Sequence, residues 1–179
     1  MTNSARTAPA ILFDRDGTLI VDVPYNDDPR RVTPMPTAVD AVRRARDAGC
    51  RTGVITNQSG VARGLITPGA LESIHARIRE LFGDFDGWRI CTHGPDDGCV
   101  CRKPAPGMVL SAAEELGVDP SRVVMIGDIA ADIDAASAAG ATGILVPTPR
   151  TLPDEVERAP HVAATLDEAV LLALEGAVR

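Results

Sequence analysis

Four short segments of this chain bring together side chains able to handle a phosphoryl group. The first is Asp14-Arg15-Asp16-Gly17-Thr18. Residues i and i+2 leaving a strand point to the same side, so the carboxylates of Asp14 and Asp16 can converge. Gly17 lets the chain turn back at that point. In such a pair, one carboxylate can attack phosphorus while the other protonates the departing oxygen and later activates water. An Asp-x-Asp pair followed by glycine also opens a calcium-binding EF-hand loop. Counted from Asp14, however, the glycine stands fourth instead of sixth, and the twelfth residue is Tyr25 instead of a glutamate, which excludes that loop.

The second segment, Thr56-Asn57-Gln58, offers a hydroxyl and a backbone N–H to phosphate oxygens. The third, Gly127-Asp128 with Asp132 one helical turn further on, supplies a carboxylate from a neighbouring strand. Carboxylates so placed can share one Mg²⁺ with phosphate oxygens, and Asp132 can act either as a ligand or as a group that orients one. The fourth is the loop Cys91-x-His93-x5-Cys99-x-Cys101, which runs into Arg102-Lys103-Pro104. Three thiolates and one imidazole make a closed tetrahedral set, the structural type of zinc site. The spacer Gly94-Pro95-Asp96-Asp97-Gly98 is turn chemistry that folds back on an ion. Cys50 stands apart and reads as a small apolar residue. Lys103 is the single lysine among 18 Lys and Arg residues. An ammonium there gives a compact point charge where a forked guanidinium does not fit.

These segments need a scaffold that puts them side by side. Ala10 to Phe13, Arg51 to Thr56, Trp88 to Thr92, Arg122 to Ile126 and Thr142 to Val146 read as short strands. Between and after them, helical spacing predicts helices over Pro36–Ala48, Pro68–Phe82, Pro106–Leu116, Ala130–Ala139, a short one near Asp154 and a last one over Asp167–Leu174. Thr67 is placed to cap the second helix, and Gly49, Gly117 and Gly140 to stop others. Alternating strands and helices predict an α/β fold with a Rossmann-like, doubly wound parallel sheet. No repeat or linker divides the chain, so residues 1–179 are expected to form one domain with a metal loop at 91–103. Ligands of such sheets bind beyond the carboxyl ends of the strands, where all four segments fall.

Composition narrows the partners. A net charge of −7 and a pI near 4.9 leave no basic field for nucleic acid or an anionic membrane. No apolar run approaches the ~20 residues that span a bilayer, and Met1 to Pro9 lacks the apolar stretch of a secretory signal. A cytoplasmic monomer acting on a small phosphorylated molecule is the expectation. Only 3% of residues are aromatic, so the core must be built from Val, Ile, Leu and Ala.

Taken in order, DRDGT at 14–18, TNQ at 56–58, CRKP at 101–104 and GDIAAD at 127–132 resemble the haloacid dehalogenase (HAD) superfamily of aspartate-nucleophile phosphatases. The resemblance extends from Asp14 to about Val146. It implies that Asp14 is the nucleophile and a magnesium ligand, and that Asp16 is the general acid/base, lending its backbone carbonyl to the metal. Thr56 and Asn57 would bind phosphate, Lys103 would neutralise nucleophile and phosphate, and Asp128 would complete the Mg²⁺ site. The Cys/His signature is similar to the capless branch of heptose-bisphosphate and histidinol-phosphate phosphatases, and residues 56–64 are closer to the heptose type. A polynucleotide 3′-phosphatase is a further alternative, since related repair enzymes share DxDGT. A capless enzyme has no second domain over its site, which makes Arg102, Arg63 and the Val21–Arg31 segment the groups expected to touch the rest of the substrate. One departure stands out: Ile129 follows Asp128 where these families usually carry a basic residue near the substrate phosphate.

Overall fold

Alternation along the strands decides how the sheet is covered. In β1 (Ala10–Asp14), Ile11 and Phe13 enter one apolar cluster while Ala10 and Leu12 enter another on the opposite face. The other inner strands divide likewise, Val54 from Ile55 in β2 (Arg51–Asn57) and Val124 and Ile126 from Val123 and Met125 in β4 (Val123–Gly127). A sheet apolar on both faces must be covered on both. The first face is packed by α1 (Ala38–Asp47), α2 (Pro68–Phe82) and α6 (Leu166–Glu175). The second is packed by α3 (Gly107–Leu116) and α4 (Ala130–Ala138), whose small residues Ala112, Ala113, Ala135 and Ala136 let the helices sit close.

The computed structural model describes residues 9–176, so the reading made of residues 1–8 lies outside it. Among the described residues, β1, β2 and β4 join β3 (Gly87–Cys91) and β5 (Thr142–Leu145) in one sheet of order β3-β2-β1-β4-β5, with every pairing parallel. The chain steps outward from β1 through β2 to β3, then returns to place β4 on the other side of β1. That reversal opens a crevice beyond the carboxyl end of β1, the usual ligand position in such sheets. Asp14 closes β1, opposite Ile55, and Gly127 closes β4. The acidic segments therefore meet at the crevice.

The helices and strands follow the expected pattern, with differences at their ends. The first helix starts at Ala38, because Thr37 takes a left-handed conformation with φ 65°. Two one-turn 3-10 segments, Pro29–Arg31 and Pro120–Arg122, are each capped by a preceding aspartate. A short α5 (Pro153–Arg158) contributes nothing to the core.

Gly127 matters for placing the site. A Cβ on it would lie 2.2 Å from Asp132 Oδ2 and 2.3 Å from Asp132 Cβ. Only glycine lets α4 bring Asp132 that close to the end of β4. Gly127→Ala is expected to overpack this contact by roughly 1–3 kcal/mol. For a chain of this size that lowers the melting temperature by about 2–12 °C. An unchanged melting curve by circular dichroism would show that Asp132 is not pinned there.

Candidate active site

The centre of the crevice is an ammonium among carboxylates. Lys103 Nζ donates to Asp14 Oδ1 at 2.6 Å, to Asp132 Oδ1 at 2.6 Å and to the Ile55 carbonyl at 3.2 Å. A lysine has three N–H donors, and all three are used. Asp128 completes the cluster, since one ligand oxygen from each of Asp14, Asp128 and Asp132 lies within 4.8 Å of the others. All three aspartates and Lys103 are buried. Asp132 is also anchored from behind, where its Oδ2 accepts from the backbone N–H groups of Asp128 (3.2 Å) and Ile129 (3.3 Å). Gly17, with φ 86°, leaves room beside Asp128, whose Oδ2 would lie 2.3 Å from an added Cβ.

Three carboxylates against one ammonium leave an excess of buried negative charge. Burial is the largest cause that raises the Asp14 carboxyl well above its ordinary range. Lys103 opposes it, and Asp132 and Asp128 add to it. Burial, followed by Asp132, raises Asp128 to about 7. For Lys103, burial favours the neutral amine, but Asp132 and Asp14 outweigh it and hold the ammonium charged. Oxygen donors in this arrangement suit a hard divalent cation such as Mg²⁺.

Asp16 stands outside that cluster. Both its carboxylate oxygens are held by Arg15, at 3.0 Å each, and Gln58 Nε2 donates to Oδ2 at 2.8 Å. Gln58 also donates to Thr56 Oγ1 at 2.8 Å. Arg15 is buried, and its Nη1 lies 3.1 Å from Nε2 of His75. Burial, then Arg15, lowers His75 to about 4, so Nε2 accepts from the guanidinium. Asp16 thus lines a cleft of about 350 Å³ that Tyr25, Asn26 and Asn57 also border.

The Asn57 side chain clamps the backbone of Lys103: Nδ2 donates to its carbonyl and Oδ1 accepts from its N–H, both at 3.1 Å. Arg102 donates to the His93 carbonyl at 3.3 Å and lines a separate cavity beside the Cys/His loop. Arg63 donates to the Tyr25 hydroxyl at 2.9 Å at the cleft's outer edge. Arg15, Gln58 and His75 were not among the residues singled out from the sequence. The first two lie inside the DRDGT and TNQ segments, whereas His75 reads as one more position on the apolar stripe of α2.

In the loop after β3, Cys91 Sγ lies 3.7 Å from Cys99 Sγ, 3.2 Å from Cys101 Sγ and 3.5 Å from His93 Nδ1, which is 3.3 Å from Cys101 Sγ. A tetrahedral zinc ion sets S···S edges near ~3.8 Å and N···S edges near ~3.5 Å from its ordinary bond lengths. The Cys91–Cys99 and Cys91–His93 spacings match these, the Cys91–Cys101 contact is shorter, and all four ligand atoms lie within 4.8 Å of one another. Burial, with the neighbouring Cys101 thiol, pushes Cys91 up to about 12. Its thiolate therefore needs a cation beside it. The Asp97 side chain holds the spacer, its Oδ2 accepting from the Gly94 N–H at 2.7 Å. Gly107 packs so close to Val100 that a Cβ would come 2.3 Å from the Val100 carbonyl oxygen.

Comparison with known proteins agrees with this geometry. Residues 100–169 match the HAD-hydrolase-like family. The chain is 41% identical over 146 residues to the D-glycero-beta-D-manno-heptose-1,7-bisphosphate 7-phosphatase of Pseudomonas aeruginosa, a match covering 77% of this chain and 80% of that protein. It is 36% identical over 167 residues to the protein of the same name from Escherichia coli K12, covering 87% of each. The crystal structure of D,D-heptose 1,7-bisphosphate phosphatase from B. bronchiseptica, complexed with magnesium and phosphate, superposes with a TM-score of 0.82 at 32% identity, covering 94% of this chain and 99% of that one.

The raised carboxylates have a measurable consequence. A group whose folded pKa lies above its unfolded value holds its proton longer in the folded state, so stability falls as pH rises between the two values. For Asp128 that window runs from its ordinary 3.8 to about 7. Zinc-replete, magnesium-free protein is expected to melt at a lower temperature at pH 8 than at pH 5.5. Added Mg²⁺ should restore more stability at pH 8 than at pH 5.5, because the cation competes with the protons. A magnesium effect of equal size at both pH values, by scanning calorimetry, would count against the cation binding these carboxylates.

Proposed function

We propose that this chain, which belongs to the HAD-like hydrolases and is a phosphatase of that family, removes the 7-phosphate of a heptose 1,7-bisphosphate through a phosphoryl-aspartate on Asp14. The observation that carries the reading is the buried cluster of Asp14, Asp128 and Asp132 beside Lys103, whose ammonium pairs with Asp14 and Asp132. The names of the relatives support the substrate. We read the chain as a single capless domain acting as a cytoplasmic monomer, a reading that its free thiols suit in a reducing compartment.

Asp14 attacks phosphorus in line with the sugar oxygen. The Asp14–phosphorus bond forms as the phosphorus–oxygen bond breaks, and Asp16 delivers a proton to the departing alkoxide. Asp16 then takes a proton from water, whose oxygen attacks the phosphoryl-aspartate and frees inorganic phosphate. The position of Asp16 in the cleft, held by Arg15 and Gln58, favours this role, because the cleft is where the sugar must lie. Lys103 neutralises Asp14 and the incoming phosphate, while the Thr56 hydroxyl and the backbone at Asn57 bind phosphate oxygens. Asn57 acts a second time by fixing Lys103 through its side chain. The carboxylates of Asp14 and Asp128 with the Asp16 carbonyl are the groups that would hold Mg²⁺, and Asp132 orients Asp128 and Lys103. Bound Mg²⁺ supplies positive charge against the phosphate oxygens. Of the groups expected to touch the rest of the sugar, part of the Val21–Arg31 segment lines the Asp16 cleft, Arg63 reaches its edge through Tyr25, and Arg102 lines a neighbouring cavity.

Zinc, on this reading, is structural. Bound by Cys91, His93, Cys99 and Cys101, it fixes the loop that leads into Arg102 and Lys103.

Purified protein should release phosphate from heptose 1,7-bisphosphate faster than from histidinol phosphate or a 3′-phosphorylated nick in DNA. Asp14→Asn should reduce turnover by at least ~10³-fold, the scale of losing a nucleophile, in a variant that circular dichroism shows to be folded. Near-normal turnover in that variant would remove Asp14 from the mechanism. The protein should also carry about one zinc per chain, and stripping it should unfold the 91–103 loop and abolish turnover that Mg²⁺ alone does not restore. Full activity in zinc-free, folded protein would refute the structural assignment.

A further inference from the structure

The cleft that holds Asp16 is adjoined by a smaller cavity of about 200 Å³ that reaches Gly17 and Asp128. Asp22 and Arg150 line both, and their side chains form an ion pair. This pair stands between the two cavities, the smaller of which reaches Asp128 of the aspartate cluster.

Two cations line the larger cleft, Arg15 and Arg150. Arg15 is buried and committed to Asp16 and His75. Arg150 differs on both counts, since its side chain is 60% exposed and its partner Asp22 is 32% exposed. An ion pair this open to water contributes little to stability, so the guanidinium can exchange partners. Its backbone, in contrast, is fixed. Thr148 N–H donates to Thr151 Oγ1 at 2.8 Å, Arg150 N–H donates to Thr148 Oγ1 at 3.2 Å, and the Thr151 hydroxyl donates to the Asp128 carbonyl at 2.7 Å. The turn that presents Arg150 is therefore tied to a residue of the aspartate cluster. Ile129, next to Asp128, is apolar and supplies no charge there.

We propose that Arg150 recognises the second, non-reacting phosphate of a bisphosphate substrate, and that Asp22 holds the guanidinium until that dianion displaces it. This rests on the reading of the chain as a sugar-bisphosphate phosphatase and names the group that sets its preference. A planar guanidinium pairs with two phosphate oxygens at once and binds a dianion better than a single carboxylate does. Asp22 repels the same dianion, so exchange moves it aside and joins the two cavities into one site. With a net charge of −7, the chain draws an anion only by such local cations.

Steady-state constants for heptose 1,7-bisphosphate and heptose 7-phosphate test this in the wild type and in Arg150→Met, Arg150→Lys and Asp22→Asn. Arg150→Met should raise KM for the bisphosphate by roughly 10-fold or more, the scale of one lost charge-assisted contact, with kcat and both constants for the monophosphate nearly unchanged. Arg150→Lys should recover part of the loss, and Asp22→Asn should lower KM for the bisphosphate. Equal losses on both substrates, or none on the bisphosphate, overturn the role of Arg150, and an unchanged KM in Asp22→Asn overturns that of Asp22. Should the wild type ignore both heptose phosphates, the substrate reading fails. Fructose 1,6-bisphosphate against fructose 6-phosphate then gives the same decision on Arg150.

Discussion

The geometry of the site depends on one ammonium group having three partners. Lys103 Nζ reaches a carboxylate at the end of β1, another in the first turn of α4 and a carbonyl of β2. Three elements are thereby joined at one tetrahedral nitrogen. A guanidinium spreads its donors in a plane and cannot satisfy those three directions from one point, which accounts for a lysine here in a chain that otherwise uses arginine. Buried charges of this kind are costly unless paired, and losing one partner typically costs about 3–5 kcal/mol because the other is stranded. The cluster has more carboxylates than the ammonium can neutralise. It is balanced only when a cation or protons make up the difference.

The metal loop follows from this requirement. Lys103 leaves the sheet not from a strand end but from a long connection between β3 and α3, the kind of segment least able to hold a side chain in place. Three devices fix it. The Cys/His set gathers the loop around one point, Asn57 clamps the Lys103 backbone from β2, and Gly107 lets Val100 lie directly against the start of α3. The small thiol- and imidazole-lined knot does for the loop what a hydrophobic core does for a larger segment.

The layered fold was legible in the sequence because both of its periods are local. Strand alternation, helical spacing and the stop glycines each act within a few residues. The carboxylates after β1 and β4 were legible for a related reason: a parallel sheet sends every strand end to the same edge. What the sequence did not reveal is pairing across distance. His75 sits between Ile74 and Ile78 on the buried face of α2 and looks like a core residue until β1 brings Arg15 against it, 60 positions earlier in the chain. Gln58 was visible only as part of a motif, and its bonds to Asp16 and Thr56 appear once β1 and β2 are adjacent. The late start of α1 was hidden as well, because a left-handed threonine at 37 runs against the preference of its side chain.

The arginines near the site show how one residue type serves two ends. Arg15 is buried, and each of its contacts is to a group that is itself fixed: Asp16, also held by Gln58, and His75, packed on Trp88 at 4.8 Å. Moving any of them breaks the others, so Arg15 behaves as part of the scaffold and keeps Asp16 in one place. Arg150 stands on an equally rigid turn, but its far end faces water and a half-buried carboxylate. The difference is burial, since both are guanidinium–carboxylate pairs. In a protein of net negative charge, a buried arginine can orient a catalytic group but is no longer available to an incoming anion. A cation left at the rim keeps that freedom, because solvent holds its pairing weak enough to exchange.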